Sequence, residues 1–210
     1  MKKRIWFLLI LSLLLCGCGK ADALCEAVWQ RSEPLPAGTG ETFLAALDFT
    51  AEEIALAAPA EPAIVEQIVF TGEGAYRIAC HSEATRALTR EYLDGVLTAL
   101  CADPAALSGV YDAAFGVDMA AMSEAECRDF YVGIFGCEDY DGLLDHLTNA
   151  FFDYEALAVW EETGSYTLRG GKLFLTDAAG AERGCVEFAL SENTLTLIYA
   201  DKTLEYRKTA

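Results

Sequence analysis

Apolar and polar residues alternate along the last part of the chain, whereas apolar residues recur at helical spacing through its middle, so two periods divide the sequence. After Gly164, segments 165–169 and 172–176 flank Gly170-Gly171, a two-residue loop able to take the positive φ angles of a tight hairpin. Segments 185–190, 194–199 and 203–207 follow, joined by Ser191-Glu192-Asn193 and Ala200-Asp201-Lys202. This pattern reads as an antiparallel meander. Val186, Phe188, Leu190, Leu195, Leu197, Tyr199, Leu204 and Tyr206 supply its inward face, while Glu187, Thr196, Glu205 and Arg207 face out.

The first third gives shorter strand signals. Phe43, Ala45 and Leu47 alternate over 41–48, segment 64–70 is apolar, and 75–80 puts Tyr76, Ile78 and Cys80 on one face after a turn at 72–74. Thr50-x-x-Glu53 is a capping box for a short helix between them. The period then changes. From Ser82 as N-cap, Leu88, Tyr92, Val96 and Leu100 follow a helix as far as Asp103-Pro104. A second helix carries Leu107, Val110, Tyr111 and Phe115 and stops near Gly116. Ser123 and Glu126 form another capping box, for a helix with Cys127, Phe130, Tyr131, Ile134 and Phe135 that ends at Gly136. Asp141 caps a fourth, running through Leu143, Leu144, Leu147 and Phe151 towards Trp160. Strands at both ends and helices between them predict an α+β fold. The expected form is a single domain over 41–210: an antiparallel sheet or small open barrel with a helical insertion at about 82–163.

The first residues read as address rather than fold. Lys2, Lys3 and Arg4 precede an apolar run over 5–15, which is shorter than the roughly 20 residues a membrane span needs. The run ends in Leu15-Cys16-Gly17-Cys18. That tetrapeptide resembles the lipobox of bacterial lipoproteins. The resemblance implies a signal peptide over 1–17 and a diacylglyceryl group on the thiol of Cys18, which anchors the protein to the extracytoplasmic face of the cell membrane. Residues 18–40, with Pro34, Pro36, Gly38 and Gly40, suit a tether between lipid and fold, and 23–30 accommodate a helical turn within it.

Charge narrows the partners. The formal charge is −18, although the leader contributes three positive side chains, so phosphate backbones and anionic headgroups repel the chain and a nucleic-acid role is excluded. Between Asp94 and Glu162 fifteen acidic residues stand against one basic residue, Arg128. Such an insertion suits a basic protein partner. Glu138-Asp139-Tyr140-Asp141-Gly142 lacks the alternating ligands of a calcium loop and reads as a solvated helix start, with Asp139 and Asp141 at the positive end of the dipole. Cys25, Cys80, Cys101, Cys127, Cys137 and Cys185 permit up to three disulfides in an exported protein; Cys80, Cys101 and Cys127 also fit apolar patterns as small buried residues. His81 and His146 have no metal-ligand spacing, and no nucleophile elbow, zinc-protease motif or phosphate loop occurs. The chain therefore reads as a non-enzyme without cofactor or metal.

Aromatic residues crowd the later helices, where Phe130, Phe135 and Phe151 fall on the stripe that must be buried. Phe152 and Tyr154 break that stripe and are expected to be exposed. With Glu138, Asp139 and Asp141 they make up the candidate interaction surface.

Several stretches carry a wider resemblance: Gly40-Glu41-Thr42-Phe43, Leu47-Asp48-Phe49-Thr50, the turn from Phe70 through Gly72-Glu73-Gly74 to Tyr76, Gly164-Ser165-Tyr166, Lys172-Leu173-Phe174-Leu175 and Asn193-Thr194-Leu195-Thr196-Leu197. Over roughly 40–207 the chain resembles a group of lipoproteins of Gram-positive bacteria with a lipocalin-like sheet or small barrel and acidic helices inserted in the middle. The resemblance implies a fold and an address and transfers no catalytic residue. The expected function is binding of a small apolar ligand in a pocket framed by meander and helices. The alternative is docking of the acidic insertion on a basic protein.

Overall fold

Alternation of side chains lets each strand of the meander bury one face, and an eight-stranded sheet can bury all of those faces by closing on itself. The computed structural model describes residues 23–25, 27–155 and 160–209. The signal peptide and Cys18 lie outside them. Eight strands form a closed antiparallel barrel in sequential order: β1 (Val28–Pro34), β2 (Ala63–Phe70), β3 (Ala75–Cys80), β4 (Glu161–Arg169), β5 (Lys172–Asp177), β6 (Glu182–Leu190), β7 (Thr194–Ile198) and β8 (Thr203–Thr209). The fold is thus an α+β barrel, closed rather than open. Closure depends on β1, which pairs with β8 through Val28 with Thr209 and Gln30 with Arg207. This strand falls inside the segment expected as tether. Its burial alternates, with Trp29 almost fully enclosed, but prolines and glycines just beyond it mask that signal in the sequence.

The meander follows its alternation. Val186, Leu195, Leu197 and Tyr206 are buried, and Phe188, Leu190, Tyr199 and Leu204 pack against them half-buried. Gly170 and Gly171 take φ of 60° and 79° in the β4–β5 hairpin, which other residues adopt only with strain. Tyr76 on β3 lies opposite Gly164 on β4, and its ring covers the glycine so closely that a Cβ there would lie 2.7 Å from a ring carbon. The barrel's interior is filled by its own side chains, including Trp29, Phe70, Tyr76, Leu173 and Tyr206.

By contacts the chain falls into two compact units: the barrel unit, from the described residues of 1–32 with 65–80 and 160–210, and a helical unit, from 33–64 and 81–159. In the helical unit, α1 (Thr39–Ala46) and α2 (Ala51–Ala57) precede β2, and α3 (Ser82–Cys101), α4 (Ser108–Phe115), α5 (Glu124–Ile134) and α6 (Tyr140–Glu155) lie between β3 and β4. The segment 41–48 is therefore helix as far as Ala46 and then turn, not strand. Phe43 and its neighbour Leu44 are both buried, a pairing that a strand cannot place on one face. The Glu61 carboxylate accepts from the backbone N–H groups of Gly38 and Gly40 at 2.5 and 3.0 Å, supplying acceptors at the helix start from some twenty residues downstream. Both capping boxes form as expected, Thr50 with Glu53 and Ser123 with Glu126. Two caps move by a residue or two. His81 Nδ1, not Ser82, accepts from Ala84 N–H, and Asp139 rather than Asp141 accepts from Gly142 N–H.

Candidate functional site

Buried carboxylates are expensive unless their oxygens are met by donors, so a fully enclosed Glu directs attention to what surrounds it. Glu53, on the first turn of α2, is completely buried. Its Oε2 accepts from Thr50 N–H at 2.7 Å and Thr50 Oγ1 at 2.9 Å, which is the capping box. Its Oε1 faces the other way and accepts from the Tyr131 hydroxyl at 2.6 Å and from the Tyr111 hydroxyl. Four donors therefore converge on one carboxyl group, the arrangement that suits an ionised acceptor. Burial, then hydrogen bonding to Glu53, pushes the titration of both tyrosines well upward, so both hydroxyls stay protonated and donate.

This polar floor underlies an aromatic groove of about 480 Å³. Its walls come from three places in the chain. Leu47 to Thr50, the link between α1 and α2, forms one side; Val110, Tyr111 and Phe115 of α4 form another; Tyr131, Ile134 and Phe135 of α5 complete it. Phe49 stacks on Tyr131 with ring centroids 6.2 Å apart, and it tilts against Phe135 at 5.7 Å. Tyr111 meets Phe115 at 5.7 Å. Phe115 is 55% exposed, the most exposed of the large apolar side chains among the described residues. Asp48 stands at the lip with φ of 65°, in the left-handed region that Asp tolerates better than most residues. A second hollow of about 470 Å³ lies between the 57–63 segment and α3, where the Tyr92 hydroxyl has no hydrogen-bond partner among the described residues, but half of its lining is Ala and Pro and Tyr92 is its one aromatic ring.

The expected interaction surface does not assemble as a unit. Glu138, Asp139 and Asp141 are exposed, and Tyr154 is 46% exposed as predicted. Phe152, however, is only 3% exposed. It packs on Phe151, and the Arg86 guanidinium lies 4.4 Å above its ring, so the long helix buries a wider stripe than an ideal amphipathic pattern allows. Arg90 further pairs with both Asp141 and Asp145, and Asp139 is engaged in the helix cap. The charge excess of this stretch is therefore partly answered from α3. His81 caps a helix and His146 is exposed beside Phe135, and among the described residues no cluster of His, Cys, Asp and Glu could hold a metal ion. Cys25, Cys101, Cys127, Cys137 and Cys185 carry free thiols rather than the disulfides that were open to them, and Cys101 and Cys127 are fully buried as small apolar residues.

Sequence reading placed Thr50 and Glu53 in a cap and Tyr111 and Tyr131 in helices, but it did not bring them together. Glu53 lies 58 residues from Tyr111 and 78 from Tyr131. The signal that was available is Phe115: an aromatic residue beside a terminating glycine has little helix left to pack against. No protein-family model matches the chain, and comparison with curated proteins and with solved structures returns no match.

Proposed function

We propose that the protein is a non-enzymatic binding protein, lipid-anchored through Cys18 on the extracytoplasmic face of the cell membrane, whose helical unit holds a small organic ligand in the aromatic groove. The observation that carries the ligand reading is Phe115, a large ring left 55% exposed at the edge of a hollow of about 480 Å³ whose floor is already satisfied in hydrogen bonds. Exposed aromatic area around a concave site is the usual form of a small-molecule pocket. The barrel is the less suitable host, because Trp29, Phe70, Tyr76 and Tyr206 already occupy its interior. The groove offers no nucleophile paired with a base, since both tyrosine hydroxyls are committed to Glu53.

The test uses N-phenyl-1-naphthylamine, a neutral aromatic probe whose emission rises in apolar surroundings. Full-length protein should raise its fluorescence with a saturable dependence, and Phe115→Ala should weaken binding about fivefold, as expected for removal of one exposed ring face. Absence of saturable binding of this probe and of a small ammonium ligand alike would remove the ligand reading. The anchor is tested separately: Cys18→Ser should move the protein from the membrane to the soluble fraction, and a fully membrane-bound variant would refute lipidation at this cysteine.

A further inference from the structure

The groove's electrostatics go beyond its shape. Three helices end at its walls: α1 at Leu47 and Asp48, α4 at Phe115, and α5 at Ile134 and Phe135. Helix C-termini carry the negative end of the macrodipole, which proteins commonly offset with Lys, Arg or His in the last turn. None of these three has a basic residue there. The one positive helix end at the groove, the start of α2 at Thr50, is already answered by the Glu53 side chain through the capping box. Asp48 adds a full negative charge at the lip, and no Lys, Arg or His is among the lining residues.

The ring faces point to the same charge. Five of the ten lining residues are aromatic (Phe49, Tyr111, Phe115, Tyr131 and Phe135), with Phe115 the exposed one, and an electron-rich ring face attracts a cation more strongly than a neutral group of equal size. Beneath them, Glu53 is enclosed with hydroxyl and backbone donors and with no cation among its hydrogen-bond partners. Each of these features favours positive charge in the hollow, and a neutral apolar ligand would use none of the helix ends, Asp48 or Glu53.

Resting on the reading of the groove as a ligand site, we infer that its ligand is a small organic cation, a quaternary or protonated ammonium group with an apolar body. The rings take the methyl or methylene groups around the nitrogen, and Asp48 with the three helix ends sets the field. Weakly hydrated ammonium groups suit this better than an inorganic cation, which would need oxygen ligands that the groove does not gather.

The experiment compares choline with 3,3-dimethylbutan-1-ol, its neutral isostere, by titration against the full-length protein followed by ligand-observed NMR. Choline should bind at least about tenfold tighter, the factor supplied by one desolvated cation–π contact. Phe115→Leu keeps apolar volume but loses the ring face, and should weaken choline several-fold with little change for the alcohol. Asp48→Asn should reduce the preference for choline and its sensitivity to salt. Equal binding of choline and the alcohol would overturn the cation inference while leaving the groove intact. Binding of N-phenyl-1-naphthylamine without choline would do the same. Failure of all three probes to bind would overturn both readings.

Discussion

Each unit sets a carboxylate against tyrosine, Glu53 fully buried under two hydroxyls and Glu66 half-buried against one, but the two are neutralised differently. In the barrel, Glu66 on β2 takes Arg31 Nε of β1 at 2.8 Å and the Tyr206 hydroxyl of β8 on the same oxygen, and the Arg31 guanidinium lies 5.5 Å from the centre of the Tyr206 ring. That cluster ties the closing strand to both its neighbours and leaves little net charge. In the helical unit, Glu53 has four donors and no guanidinium or ammonium among them. The first arrangement is a seam. The second holds the α1–α2 link against α4 and α5 and leaves a negative centre below an open aromatic groove, which is why a functional reading attaches to it and not to the barrel.

The largest expected effect tests whether Glu53 organises its unit. Glu53→Ala removes the carboxylate half of one capping box and leaves two buried tyrosine hydroxyls without an acceptor, and should destabilise the helical unit by about 4 kcal/mol. Urea unfolding followed by circular dichroism at 222 nm reports the helices. Tryptophan emission reports the barrel unit, which holds Trp29 and Trp160, since the helical unit contains no tryptophan. A loss below about 1 kcal/mol in the helical signal would show that the cluster is incidental.

Next comes the barrel's own tight point. A Cβ at Gly164 would lie 2.2 Å from the Thr176 backbone carbonyl oxygen, which is held in the β4–β5 ladder and cannot step aside. Gly164→Ala should cost about 3 kcal/mol by overpacking, read in tryptophan emission. Equal stability would mean that neither the Thr176 carbonyl nor the Tyr76 ring approaches the glycine so closely.

The two tyrosine pairs sharpen the comparison directly. Tyr131→Phe deprives Glu53 of one of two donors on its oxygen and should cost about 2 kcal/mol. Tyr206→Phe leaves Arg31 on Glu66 and should cost about 1 kcal/mol. If the barrel variant suffers as much as the helical one, the distinction between cation-paired and hydroxyl-held carboxylates loses its basis.

The smallest effect concerns exposed carboxylates. Glu61 is held below the ordinary range by the backbone N–H groups of Gly40 and Gly38, whereas Glu187 on the barrel is held below it by Lys172. Depressed values mean that both contribute stability above the unfolded carboxylate value near about 4.3, and that this is lost as pH falls through the folded value. At high salt, NMR titration should show Glu187 returning towards its ordinary value while Glu61 stays depressed, because screening weakens ion pairs more than hydrogen bonds to backbone. Parallel movement of the two would contradict those assigned causes.

Periodicity and capping chemistry determined much of this molecule. Strand alternation specified the inward face of β6 to β8, Gly170-Gly171 the hairpin, and Thr50-x-x-Glu53 and Ser123-x-x-Glu126 two helix starts, because each depends on residues a few positions apart. Tertiary structure decided what depends on distant partners. It made 41–46 helix rather than strand, with Glu61 brought to the start of α1, and it recruited β1 from the expected tether to close the barrel against β8. It buried Phe152 under Arg86. It also assembled the groove, since the acceptor shared by Tyr111 and Tyr131 belongs to a helix cap more than fifty residues before either. A cap can be read locally because its donor and acceptor share one turn, whereas the second oxygen of the same carboxylate acquires its partners only when helices pack.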